Sequence, residues 1–155
     1  MRIKKYLYPE AVIEELKAAT KEAALEELAA ALPRQAGGQD RAEMVRVLMA
    51  REKLGSTGIG DGIAIPHGKI AGLNELMISY GRSKKGLDFN SMDGKPVHLL
   101  FLLMAPENSS GQHLKVLARI SRMLKDGLFR KKLMAAASTE ELYRVIVEKD
   151  DADPD

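Results

Sequence analysis

The run Val97-His98-Leu99-Leu100-Phe101-Leu102-Leu103-Met104 constrains the fold of this chain more than any other segment. Read as an extended strand it is apolar on both faces, so it must be covered from both sides, as in the middle of a sheet with helices packed over it. The run from Val97 to Pro106 is broken by His98 and falls far short of the ~20 residues needed to cross a bilayer as a helix. It therefore belongs to a core.

The flanking segments supply the cover. Thr20 is placed to cap a helix over Lys21–Ala31, with Ala24, Leu25, Leu28 and Ala31 on one stripe and Pro33 as a stop. Glycines mark 35–39 as a loop. Asp40 with Glu43 three residues on has the form of a capping box opening a helix through Met44, Val45, Leu48 and Met49, ending near Lys53 or Leu54. Met77–Gly81 reads as a strand and Asp93-Gly94 as a turn. Ser109 or Ser110 is expected to cap a helix that turns Leu114, Leu117, Ala118, Ile120 and Leu124 inward and ends at Gly127. A short helix is expected over Phe129–Ala136. Ser138 with Glu141 forms a second capping box, for a helix with Leu142, Val145 and Ile146 inward. Residues 150–155 are an acidic tail expected to fray, which leaves a domain over residues 1–149. The segment Ala11–Leu16 is compatible with either helix or strand. Strands separated by helices make this a single α/β domain.

Charge and composition narrow the chemistry. With 155 residues the chain can bury about 70% of the surface its unfolded form exposes, enough for one core. Its 24 basic and 22 acidic side chains nearly cancel, which gives no electrostatic case for nucleic acid or an anionic membrane. There is no cysteine, so disulfides, thiolate metal sites and thiol nucleophiles are excluded, in keeping with a cytoplasmic protein. The amino terminus starts with positive charge, but Pro9, Glu10, Glu14 and Glu15 fill the place of an apolar stretch, so no export signal is expected.

The segment Gly55-Ser56-Thr57-Gly58-Ile59-Gly60-Asp61-Gly62-Ile63-Ala64-Ile65-Pro66-His67-Gly68 carries the chemistry. Ile63 and Ile65 should share one face of a short strand with Ala64 opposite, and Pro66 should end the pairing, leaving His67 at a strand end. Proline fixes the backbone before the imidazole, and glycine clears space after it, so another protein's reactive group can reach the ring. No frame satisfies G-x-G-x-x-G opening a helix, which excludes a dinucleotide loop. Gly62 and Gly68-Lys69 resemble a P-loop, but five residues separate the glycines instead of four, and Ile70 stands in place of Ser/Thr.

The other histidines are read in the same way. His67, His98 and His113 are not spaced as metal ligands, and no metal or cofactor is expected. His98 opens an apolar strand and is read as structural. His113 falls in the first turn of its helix, where a solvated polar residue and an anion-site imidazole are equally compatible with the spacing. A phosphoryl group carries roughly −1.5 to −2 charge at neutral pH and needs such donors, with Arg51 as a further cation. Ser56 and Thr57 are read as hydrogen-bond donors and Asp61 as a turn residue, although a carboxylate there could also set the His67 tautomer.

These residues resemble the enzyme IIA component of the fructose/mannitol class of the bacterial phosphotransferase system, in particular its nitrogen-regulatory branch. The likeness rests on Arg51-Glu52, Gly55-Ser56-Thr57-Gly58-Ile59-Gly60, Gly62 to Lys69, and Pro106-Glu107 followed by His113-Leu114. Leu87-Asp88-Phe89 and Glu140-Glu141-Leu142-Tyr143 extend it over about residues 10 to 147. It implies a sandwich with a mixed central sheet between helices, which favours a strand for Ala11–Leu16. It implies that His67 accepts a phosphoryl group from the phosphohistidine of an HPr-type carrier, itself charged from phosphoenolpyruvate through enzyme I. It places His113 and Arg51 beside His67, with Ser56, Thr57 and Gly68 as support for the phosphoryl site. Attack needs a neutral imidazole, whose second nitrogen donates to a carbonyl or carboxylate.

A sugar-specific component would pass the group to a IIB domain. A nitrogen-type component would signal through its phosphorylation state to regulated targets such as potassium transporters or sensor kinases. A third reading is a binding module that transfers nothing. Asp61 departs from the Asn more usual in close relatives and is expected to add negative charge near the phosphate.

Overall fold

The computed structural model describes residues 1–34 and 40–154; the expected loop at 35–39 lies outside them. The strongly apolar run does form the middle strand. Six strands, β1 (Leu7–Ile13), β2 (Gly58–Gly60), β3 (Ile63–Ala64), β4 (His67–Ile70), β5 (Met77–Leu87) and β6 (Val97–Pro106), make one mixed sheet in the order β1-β5-β6-β3-β2. β4 pairs with β6 as well, beside β3. β5 runs antiparallel to β6, while β1 is parallel to β5 and both β3 and β4 are parallel to β6. The segment left open thus forms a strand that begins earlier, at Leu7, and stops at Ile13 before the Glu14-Glu15 bend.

Alternation along β6 builds two cores. Leu99, Phe101 and Leu103 face one side, with Ile63, Ile65, Ile78 and Tyr80 from neighbouring strands. Against them pack α3 (Ser110–Leu124), α4 (Gly127–Ala135) and α5 (Thr139–Ala152) through Val116, Ile120, Leu133, Leu142 and Ile146. Leu100, Leu102 and Met104 face the other side with Ala64 and Met77, under α1 (Lys21–Ala30) and α2 (Arg41–Lys53) through Leu25, Leu28, Met44 and Leu48. A strand apolar on both faces needs this double cover, since each buried aliphatic side chain contributes about 1.5–3 kcal/mol of transfer free energy.

The caps hold at several of the expected positions. The Thr20 hydroxyl accepts the Ala23 N–H at 3.4 Å, Asp40 accepts the Ala42 N–H at 2.9 Å, and Ser138 accepts the Glu141 N–H at 3.1 Å. Glu141 returns one residue early, to the Ala137 N–H at 2.5 Å.

Four expectations are corrected. Gly127 opens α4 instead of closing α3, because Asp126 caps the new helix by accepting the Leu128 N–H at 2.9 Å. Ser109 stands at the α3 cap position without capping; its hydroxyl donates back to the Pro106 carbonyl at 2.7 Å. The inward stripe of α3 is His113, Val116, Ile120 and Met123, so Leu114 points outward and is 66% exposed. The stripe is turned because Arg119 is buried at an inward position, paired with Asp150 through Nε at 2.7 Å. That pair also overturns the frayed tail: α5 continues through Ala152, with Asp150 fully buried.

Candidate active site

Pro66 does not end the pairing of its segment. It lacks an N–H but keeps a carbonyl, which accepts the Leu103 N–H at 3.0 Å, so the chain resumes beside β6 as β4 with His67 opposite Leu103. His67 is therefore the first residue of a strand. Gly68 follows because α2 lies directly over it: a Cβ there would stand 2.8 Å from Val47 Cγ1. The period of two puts Lys69 on the same face as His67.

The His67 Nδ1 lies 2.8 Å from the Ile65 carbonyl. A carbonyl can only accept, so Nδ1 carries the proton and Nε2 keeps its lone pair. The tautomer is thus set by the backbone two residues upstream. Asp61 has no part in it: it sits at φ 57° in the β2–β3 turn and lines a different cleft. The left-handed conformation, which Asn and Asp tolerate, accounts for an acid or amide at that position. Asp61 therefore adds no negative charge to the lining of the cleft over the His67–His113 pair.

His113 meets His67 edge to face, with ring centroids 5.5 Å apart at 82°. It is 5% exposed, and among the described residues neither of its ring nitrogens has a hydrogen-bond partner. The first turn of α3 is held there by Lys69, whose Nζ donates to Ser110 Oγ at 2.6 Å. Burial, then the neighbouring His67 and Lys69, push the His113 pKa down to about 4. Burial foremost, with a contribution from Arg51, also lowers that of His67, against the opposing effects of the Ile65 hydrogen bond and Glu52. Both rings are neutral at neutral pH.

A cleft of about 470 Å³ opens over the pair, lined by Arg51, Leu54, Lys69, Ser110 and Leu114 among others. Arg51, in the last turn of α2, donates from Nη1 to the Gly55 carbonyl at 2.9 Å. Two cations and no carboxylate line this cleft among the described residues, and the amino-terminal end of α3 is aimed into it.

Ser56 and Thr57 lie behind it. The Ser56 hydroxyl donates to the Phe89 carbonyl at 3.2 Å and accepts the Gly58 N–H at 3.0 Å. The Thr57 hydroxyl donates to the Glu52 carboxylate, which also accepts the Thr57 N–H at 3.1 Å and pairs with Lys21 at 3.0 Å. These hydroxyls hold the glycine loop instead of facing the cleft. His98 is structural as expected, with Nδ1 2.8 Å from the Ser83 carbonyl.

Sequence reasoning brought His67, His113, Arg51 and Gly68 together and missed Lys69, Ser110 and Glu52. Lys69 could have been found by counting two residues along the strand from His67.

The fold and site define an α/β sandwich that presents one neutral, backbone-oriented histidine against a second in a basic cleft. A family profile described as the phosphoenolpyruvate-dependent sugar phosphotransferase system, EIIA 2, matches residues 5–149, and the chain belongs to that family. A nitrogen regulatory protein of Bradyrhizobium diazoefficiens is 45% identical over 146 residues, covering 94% of this chain and 95% of that protein. The crystal structure of nitrogen regulatory protein IIA-Ntr from Neisseria meningitidis superposes with a TM-score of 0.86 at 34% identity, covering 93% of this chain and 98% of that one. A fructose-specific EIIABC component of Bacillus subtilis is 35% identical over 97% of this chain, which spans 24% of that longer protein.

Proposed function

We propose that this protein is a cytoplasmic phosphoryl-carrier of the regulatory, nitrogen type, which accepts a phosphoryl group on His67 Nε2 from the phosphohistidine of an HPr-type carrier. The observation that carries the reading is the His67–His113 pair: one ring has its proton fixed on the Ile65 carbonyl, and the other is buried beside it with both nitrogens unpartnered among the described residues. A buried imidazole left without a partner requires an explanation, and a phosphoryl oxygen supplies one.

In the step, the Nε2 lone pair attacks phosphorus in line with the bond to the carrier's imidazole. The new N–P bond forms as the old one breaks, and the carrier's ring leaves with its electron pair. Charge on the equatorial oxygens meets the His113 N–H, Arg51, Lys69 and the α3 amino terminus. Positive charge developing on the His67 ring is shared with the Ile65 carbonyl through Nδ1–H. The rim suits a protein donor, since Leu54 and Leu114 stand 85% and 66% exposed beside the cleft and offer apolar contact around a charged centre.

The test is incubation with phosphoenolpyruvate, enzyme I and an HPr-type carrier. Acid-labile, base-stable label is expected on the wild type and not on His67→Ala; an unlabelled wild type would leave only a binding module. The likeness to a fructose-specific component keeps a transport reading in view. Onward transfer to IIB domains is the discriminating measurement: a regulatory protein retains its label, with targets such as potassium transporters or sensor kinases reading it, and a transport component loses it.

A further inference from the structure

A second cleft, of about 480 Å³, lies on the same side of the sheet near the far end of α3. The fifteen residues of α3 set its ends roughly 22 Å apart, so this cleft is distinct from the one over the histidine pair. Its floor is apolar, with Leu99 from β6 and Met134 from α4. Its lips carry opposite charges: Asp61 on the β2–β3 turn, Arg130 and Lys131 on α4. Among the described residues none of the three is in an ion pair, with each other or with a third group.

The walls are fixed. The Arg130 Nη1 donates to the Leu124 carbonyl at 2.7 Å, which anchors the guanidinium, and among the described residues its side chain has no other hydrogen-bond partner. The His98 ring is held by the Ser83 carbonyl, and Gly62 and Gly86, both at positive φ, leave it room.

We propose that this cleft binds a free amino acid with an apolar side chain. Its carboxylate lies against Arg130 and Lys131, its ammonium against Asp61, and its side chain on Leu99 and Met134. A simple anion meets only the α4 pair and a simple cation only Asp61, whereas a molecule carrying both charges pairs at both lips and gains from each. The cleft is open to solvent, and its mostly apolar lining with a few polar groups at the edge is the composition usual for small-molecule sites. The site does not depend on phosphoryl transfer at His67.

Amide NMR titration of the full chain with L-leucine, 4-methylpentanoate and 3-methylbutylamine tests it. Saturable shifts at Gly62, Leu99 and Gly127 are expected with leucine, with an affinity about tenfold or more above either singly charged analogue. Asp61→Asn, which keeps the left-handed turn, and Lys131→Gln should each weaken leucine by about tenfold while the rest of the spectrum is unchanged. His67→Ala, which takes no label on the proposed reading, should still bind leucine as the wild type does. Absence of saturable shifts, equal affinity for 4-methylpentanoate, or undiminished binding by both cleft variants would overturn the proposal.

Discussion

At the residue scale, everything about His67 follows from which nitrogen is free. The Ile65 carbonyl holds Nδ1–H, and burial depresses the ring's basicity, so the neutral ring that the proposed attack needs persists at pH values where an exposed histidine, with a pKa near 6.5, would be half protonated. The rate of phosphoryl acceptance should therefore fall on the acid side with a midpoint below 6.5, read from initial labelling rates between pH 5 and 8. His113 titrates near 4 folded and near 6.5 unfolded, so between those values only the unfolded chain takes up its proton. Stability from this residue is complete above about pH 6.5 and is lost as pH falls toward 4. Urea titrations should show that slope in the wild type and a shallower one in His113→Leu. The same variant removes one donor to the phosphoryl group and should slow labelling by about tenfold, the equivalent of one hydrogen bond to a charged group. His67-Gly68 was legible because glycine leaves room beside the ring, whereas Pro66 misled: its missing N–H suggested an end to pairing, and its carbonyl carries the pairing on into β4. Asp61, Ser56 and Thr57 were placed too close to the chemistry because proximity in sequence does not say which way a turn carries its side chains.

At the scale of elements, the site is a junction of β4, α2 and α3. Gly68 lets α2 close on β4, and Gly68→Ala sets a methyl against Val47. That should cost about 1–3 kcal/mol in chemical denaturation, by overpacking, and Val47→Ala in the same chain should recover most of it. If Gly68→Ala alone is neutral, the packing of α2 against β4 is looser than described. The β6 strand and the α1 and α5 caps were legible from apolar continuity and capping chemistry. The phase of α3 was not: Leu117 packs against the core as expected, but Leu114 and Ala118 beside it are exposed, and a buried arginine gives no hydrophobic signal. The α3–α4 break was misread for a related reason. Glycine is a common helix stop, but Asp126 just before it is a better start.

At the scale of the molecule, the two ends of the chain are tied through one carboxylate. Asp150 accepts from the Arg119 guanidinium at 2.7 Å and from the Lys4 N–H at 3.0 Å, joining α5, α3 and the amino-terminal turn in a fully buried place. Asp150→Ala should destabilise the fold by about 3–5 kcal/mol, because it removes the carboxylate that balances the buried Arg119 charge and leaves the guanidinium with backbone carbonyls such as those of Asp153 and Pro154. The double change Arg119→Met with Asp150→Leu should recover much of that loss. An acidic run at a chain end reads as solvated, so this tie was invisible in the sequence; only the three-dimensional fold brings Arg119 to it. The sandwich itself was legible, because a strand apolar on both faces admits few other surroundings. On the proposed function the molecule offers His67 Nε2 as the phosphoryl acceptor, and ³¹P and ¹⁵N NMR of the protein incubated with phosphoenolpyruvate, enzyme I and an HPr-type carrier locates the label directly. The account predicts one phosphohistidine, at Nε2 of His67, with Nδ1 still protonated; phosphate on Nδ1, or on His113, would contradict it.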